Sequence, residues 1–259
     1  MRAEAVLSAE PVAVEVRDGV LAVTLNRPRA GNALSSSLVT ALDSALEHTS
    51  SSEVRCVLVR GAGKHFCVGG DVSELGADTS AVSEERSRGM VMRTEGVLRR
   101  LQDLDVPVVV LVHGAVAGAG LALMLVADLV VAARSARFVP AYGALGLTPD
   151  VGVSFLLPRV VGERRALQFL LSGRDLASET ACQWGLVTEV VEDDTALART
   201  EELARRLAGS VQARETKRLV RSGFTVGRDA SAVDEAETFA RALATDTAQR
   251  RIAAFRAKH

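Results

Sequence analysis

Lys64-His65-Phe66-Cys67-Val68-Gly69-Gly70-Asp71 and, further along, His113-Gly114-Ala115-Val116-Ala117-Gly118-Ala119-Gly120 decide the reading of this chain. Each is a tight loop of small residues behind a strongly apolar run, 54–59 and 108–112 respectively. Each opens toward an expected helix start. Small residues let a backbone approach a ligand closely. Two such loops can each aim a backbone N–H at one point. Two donors converging on one oxygen stabilise the negative charge of an enolate.

The rest of the chain is read outward from these loops. Residues 12–17 and 20–25 are β-rich runs split by Asp18-Gly19, a two-residue hairpin signal. In 35–48, Leu38, Val39, Leu42 and Leu46 recur at helical spacing behind serine cap residues. Residues 54–60 and 107–112 are expected strands, and 119–127 a nearly all-apolar helix. A polar stretch follows the first loop through Ser87, then a helix to Asp103. Residues 129–133, 137–139 and 186–191 read as strands. From Ser154 onward the pattern becomes helical, with expected helices at 196–208, 211–222, 232–244 and 247–257. Alternating strands and helices imply α/β layering. The division expected is a core over 1–195 and a helical region over 196–259.

Composition limits the partners. A net charge of −1 argues against binding nucleic acid through bulk electrostatics. The three cysteines, Cys56, Cys67 and Cys182, form no pairing pattern, which suits reduced thiols in a cytoplasm. The four histidines have no metal-ligand spacing, so no metal is expected. The first residues contain no sustained apolar core, so no signal peptide is expected. The apolar run 106–133 is interrupted by Pro107, His113, glycines and Asp128. It reads as strand, loop, helix and strand, with no membrane partner.

Lys64–Asp71 resembles the K-x-F-x-A-G-x-D loop of the enoyl-CoA hydratase/isomerase (crotonase) family, and 115–120 its G-rich second loop. Asn26-Arg27-Pro28-Arg29-Ala30-Gly31-Asn32-Ala33-Leu34 resembles that family's NRPxxxNAL opening. The resemblance spans nearly the whole chain. It implies a spiral of ββα units and a helical C-terminal region that assembles a homotrimer or a dimer of trimers. The implied substrate is an acyl-CoA thioester; CoA is then part of the substrate and no cofactor is needed. Gly70 and Ala119 would be the two N–H donors. Arg27 and Arg29 would meet CoA phosphates, with Ala30 giving backbone contact and Val68 meeting the adenine. Lys64, Asp71 and Val72 fall in the same binding loop. Phe255 and Lys258 match positions that help close a CoA site. A P-loop fails because Gly63-Lys64 is followed by His65, and a Rossmann loop fails at the third position of GxGxxG.

Two departures matter. Where the family's hydratases carry glutamates, this chain has Ala122 and Tyr142. Alanine transfers no proton, and a tyrosine titrates near 10, so ordinary hydration has no evident base. A carboxylate does occur in Gly146-Leu147-Thr148-Pro149-Asp150-Val151-Gly152. Several family branches place a catalytic aspartate there, among them the phenylacetate-pathway isomerase acting on a ring-epoxide CoA thioester. By its sequence position alone, Asp150 also suits a helix N-cap. Beside Phe155 and Leu156, burial would raise its pKa toward a useful value. The expectation is an acyl-CoA isomerase with Asp150 moving the proton and Tyr142 lining the acyl pocket. The alternatives are an enoyl-CoA hydratase of the same family and an idle acyl-CoA-binding subunit.

Overall fold

The computed structural model describes residues 10–74 and 81–257, without the side chains of 81–83. The strands are β1 (Val12–Arg17), β2 (Val20–Leu25), β3 (Cys56–Gly61), β4 (Val108–Val112), β5 (Ala115–Ala117), β6 (Leu129–Ala133), β7 (Arg137–Val139), β8 (Leu176–Ala177) and β9 (Glu189–Val191). A six-stranded sheet runs β1-β2-β3-β4-β6-β9, and a small one runs β5-β7-β8. The β1–β2 pair is antiparallel, and every later pairing in the large sheet is parallel. Asp18 (φ 53°) and Gly19 (φ 79°) both take the left-handed conformation that a tight two-residue hairpin demands.

Parallel strands buried on both faces read as continuous apolar runs. β3, β4 and β6 show this, and their side chains alternate between two cores. Val57, Val59, Val108, Val110, Val112, Val130 and Ala132 face the main core. That core is filled by helices α1 (Ser36–Leu46), α2 (Ala81–Gln102) and α3 (Ala119–Leu125), which contribute Leu38, Leu42, Leu98, Leu101 and Leu121. Cys56, Leu58, Val109 and Val131 face the other way. Further on come α4 (Val153–Val161), α5 (Glu163–Ser172), α6 (Ser178–Gln183) and α7 (Ala196–Ala208).

The helix α7 corrects the expected division at residue 195. It covers the back of the large sheet, with Leu203, Ala204 and Ala208 packed on Val20, Cys56, Leu58 and Val109. The first compact unit therefore extends to Gly209, and the second begins at Ser210. A helical pattern alone cannot tell a tail from a layer covering a sheet. The second unit carries α8 (Ala213–Ser222), α9 (Arg228–Leu243) and α10 (Asp246–Arg256). Arg218 of α8 binds both carboxylate oxygens of Asp234 on α9, at 2.6 and 2.9 Å. Phe224, Phe239 and Phe255 of this unit are exposed.

Two other elements differ from the sequence expectation. α2 starts by Ala81, ahead of Ser87, because its first turns are polar and carry no apolar periodicity; Glu85 and Arg88 pair there at 2.7 Å. Residues 115–117 form a strand, because β7 and an isolated bridge to Cys67 supply its partners. No helix among the described residues is long and apolar enough to cross a membrane.

Gly120 lies where α3 passes the first loop, and a Cβ there would run into the Cys67 carbonyl oxygen. Gly120→Ala should cost about 1–3 kcal/mol through overpacking. Gly96→Ala, on α2 with open space around it, should be neutral or slightly stabilising. Urea unfolding of both variants checks the contrast.

Candidate active site

Three loops converge at the C-terminal ends of β2, β3 and β4. The first, after β2, is tied down by Asn32, which is fully buried. Its amide donates to the carbonyls of Ala62 (2.9 Å) and His65 (2.8 Å), and its oxygen accepts from Arg27 N–H (2.9 Å). Sequence reasoning quoted Asn32 within the NRPxxxNAL motif but gave it no task. It sits at φ 56°, a conformation tolerated best by Gly, Asn and Asp.

Arg27 turns toward Ala33 O (2.8 Å) and the Asp71 carboxylate (2.9 Å). The other Asp71 oxygen accepts from Ser73 N–H (3.1 Å) and Ser73 Oγ (2.6 Å). These bonds, Ser73 first and Arg27 next, hold the Asp71 carboxyl below the usual range. Arg27 and Asp71 thus clamp the first loop to the second. Arg29, Ala30, Lys64 and Val72 are exposed around them, and Val68 is half-buried with its methyls under Gly31.

The second loop pairs with the first through Leu34 N–H to Gly69 O (2.8 Å) and Asp71 N–H to Leu34 O (3.1 Å). Gly70 sits between those two bonds, so its own N–H points out of the pairing. The third loop joins the second by Cys67 N–H to Ala115 O (3.4 Å) and Ala117 N–H to Cys67 O (3.0 Å). Glycines permit this approach. A Cβ on Gly69, at φ 112°, would lie 3.1 Å from Ala117 O and 3.6 Å from Ala119 N. Neither Gly70 N–H nor Ala119 N–H donates a hydrogen bond to another described residue. The structure brings these two unspent donors onto adjoining loops.

Asp150 enters from the segment after β7. Tyr142, 8% exposed, donates its hydroxyl to Asp150 Oδ1 at 3.0 Å. Burial raises the Asp150 pKa, and the Tyr142 bond works against that rise. Burial, then the Asp150 charge, pushes the Tyr142 hydroxyl up as well. The tyrosine is also within electrostatic reach of Cys67 of the second loop, whose thiol burial raises to about 12.

The capping role open to Asp150 is not the one it adopts. Gly152 is the N-cap of α4, with no side-chain capping bond; Asp150 contributes its carbonyl, to Val153 N–H at 2.9 Å. Between them Val151 is held at φ 39°, a costly conformation for a buried β-branched residue. Phe155, expected to help bury Asp150, is 58% exposed, with the Arg159 guanidinium over its ring. Ala122 is fully buried in α3. Phe255 lies exposed in the second unit, and Lys258 lies outside the described residues.

The α/β core thus presents the N–H groups of Gly70 and Ala119 on adjoining loops and holds a half-buried carboxylate, Asp150, bonded to Tyr142. The chain belongs to the enoyl-CoA hydratase/isomerase family, whose profile matches residues 15–259. It is 39% identical over 194 residues to the 1,2-epoxyphenylacetyl-CoA isomerase of Escherichia coli, covering 74% of each chain. It is 32% identical over 200 residues to 4-chlorobenzoyl coenzyme A dehalogenase-2 of Arthrobacter, covering 77% of this chain and 72% of that one. Among solved structures, the enoyl-CoA hydratase of Bacillus anthracis superposes with a TM-score of 0.87 at 27% identity, covering 96% and 97%. The family acts on acyl-CoA thioesters.

Because the Tyr142 bond holds the Asp150 pKa down, Tyr142→Phe should raise it further above the ordinary carboxylate value. The carboxylate form is lost as pH falls, so that loss should begin at a higher pH in the variant. Carbon-13 NMR of the Asp150 carboxyl checks the direction.

Proposed function

We propose that this protein is an acyl-CoA thioester isomerase. The N–H groups of Gly70 and Ala119 donate to the thioester oxygen held between them, and Asp150 moves the proton. In the first half-step the Asp150 carboxylate takes a proton from a carbon activated by the thioester. The electron pair left behind passes to the thioester oxygen, as an enolate. In the second, the protonated Asp150 returns the proton to another carbon and the enolate collapses. No atom is gained or lost. Each N–H donor would contribute about 10²–10³ in rate, by analogy with single oxyanion-hole donors.

The observation that carries this reading is the Asp150–Tyr142 pair. It is a carboxylate whose pKa burial raises, held by one neutral hydrogen-bond donor, while Ala122, which transfers no proton, is fully buried in α3. A general base works best when its pKa approaches the working pH. The similarity to a 1,2-epoxyphenylacetyl-CoA isomerase supports an unsaturated or ring-epoxide acyl group as the substrate class. Lys64, Val72, Arg29 and Ala30, exposed on the paired loops, and the backbone of half-buried Val68 would meet the CoA portion. A homotrimer or dimer of trimers would use the exposed aromatic residues of the second unit.

Mass-spectrometric deuterium exchange in D₂O, across a panel of enoyl- and arylacetyl-derived CoA thioesters, tests the assignment. Wild type should incorporate one deuteron into a product otherwise isobaric with the substrate. Asp150→Asn should keep folding and thioester binding and lose about 10²–10⁴-fold in rate. Gain of a water would make the protein a hydratase with another base. Binding without exchange would make it an idle acyl-CoA-binding subunit. Full activity in Asp150→Asn would remove Asp150 from the mechanism.

A further inference from the structure

The pairing of the second and third loops leaves a regular parallel ladder just before Cys67, where Phe66 N–H donates to His113 O at 2.9 Å. With Cys67 opposite Val116, the ladder runs Cys67 N–H to Ala115 O and Ala117 N–H to Cys67 O. Continued by one step, it would send Ala115 N–H to His65 O. That carbonyl is already taken by the Asn32 amide, at 2.8 Å. Ala115 N–H instead donates to the His65 side chain, at Nδ1, 3.0 Å away. The imidazole stands in for its own carbonyl.

We propose that His65 is a positioning residue, whose unprotonated Nδ1 holds the start of β5 and thereby the approach of the Ala119 loop to the Gly70 loop. The proposal rests on the reading that Gly70 and Ala119 are the thioester-oxygen donors. A backbone N–H can donate only to a ring nitrogen that carries no proton, so the tautomer is set as Nε2–H. Protonation of Nδ1 would place two donors face to face and break the bond. Glycine at 114 leaves space for the ring here, since a Cβ would come within 2.9 Å of Nδ1 and would strike Lys64 O.

The surroundings favour the neutral ring. The groups that act on it are Lys64, on its own loop, and His113, from the turn between β4 and β5. Both oppose a positive charge. The His113 Nε2–H donates to Gly63 O at 3.0 Å, a second side-chain tie between the same two loops. Burial comes first among the causes that set the His65 pKa below 6.5, followed by Lys64 and His113. The neutral form therefore predominates at pH 7, and the tie is lost only as pH falls below 6.5. β5 ends at Ala117, and Gly118 and Ala119 follow directly. The Ala115 bond thus anchors the segment that carries the second donor.

The test uses the full chain. Nitrogen-15 NMR of the wild-type histidines should show His65 Nδ1 unprotonated at neutral pH, titrating below 6.5, with the Ala115 amide moving in the same step. Infrared spectroscopy of a bound, unreactive acyl-CoA thioester should show its carbonyl polarisation weakening in that step. His65→Asn places an amide oxygen where Nδ1 stood, so it should keep the polarisation at neutral pH and lose the acid step. His65→Ala should weaken exchange about tenfold at neutral pH, the worth of one lost hydrogen bond, and should differ little from wild type once the acid step is passed. Nδ1 protonated at pH 7 in wild type overturns the proposal, and that measurement needs no variant to fold. An unchanged acid step in His65→Asn also overturns it. If no thioester undergoes exchange while the NMR and infrared steps appear, the Asp150 isomerase reading fails and the role of His65 stands.

Discussion

The parallel contact of Cys67 with Val116 is the constraint on which the candidate site depends. Two loops that leave neighbouring β-strands must meet backbone to backbone, and each must keep one N–H out of the meeting. Of the two, only Ala119 is a buried residue, where an unpartnered N–H is costly; Gly70 is exposed. Gly69 and Gly118 make the approach sterically possible, at φ 112° and 49°. Asn32 and His65 then hold the loops by side-chain bonds to backbone groups, and Arg27 closes on the Asp71 carboxylate. The large parallel sheet behind them, buried on both faces, gives the loops a rigid base.

The second tension lies at Asp150. A carboxylate whose pKa is raised by burial destabilises the folded state at any pH above that pKa, since the unfolded chain ionises it freely. Below the ordinary value of 3.8 both states are protonated and the penalty vanishes. The adjacent Val151 adds backbone strain at φ 39°. Neither feature helps folding. Stability given up at one spot, beside a hydrogen-bonded tyrosine, is what a proton-transfer site requires.

Much of this was legible in the chain itself. The Asp18-Gly19 hairpin, the apolar runs of β3, β4 and β6, and the amphipathic α1 follow from local conformational preference and from periodicity. The two glycine-rich loops were legible because glycine at those spacings has few other uses. Asp150 was legible because its neighbours match an aspartate-bearing branch of the family. Less was readable for β5, a three-residue strand whose partners come from Cys67 and from β7. The start of α2 was hidden by its polar composition. Arg27 read as an exposed cation for phosphate, yet it closes on Asp71, a partner 44 positions away.

Local order along the chain determined the elements and the glycines, because backbone conformation and hydrophobic period act over a few residues. It also determined the family. Tertiary structure decided which groups meet: that Tyr142 donates to Asp150, that Asp150 does not cap α4, that α7 covers the sheet and that His65 replaces a carbonyl. Each of these depends on distance in space and on which hydrogen-bond partners are already taken. Neither quantity is carried by any one stretch of sequence.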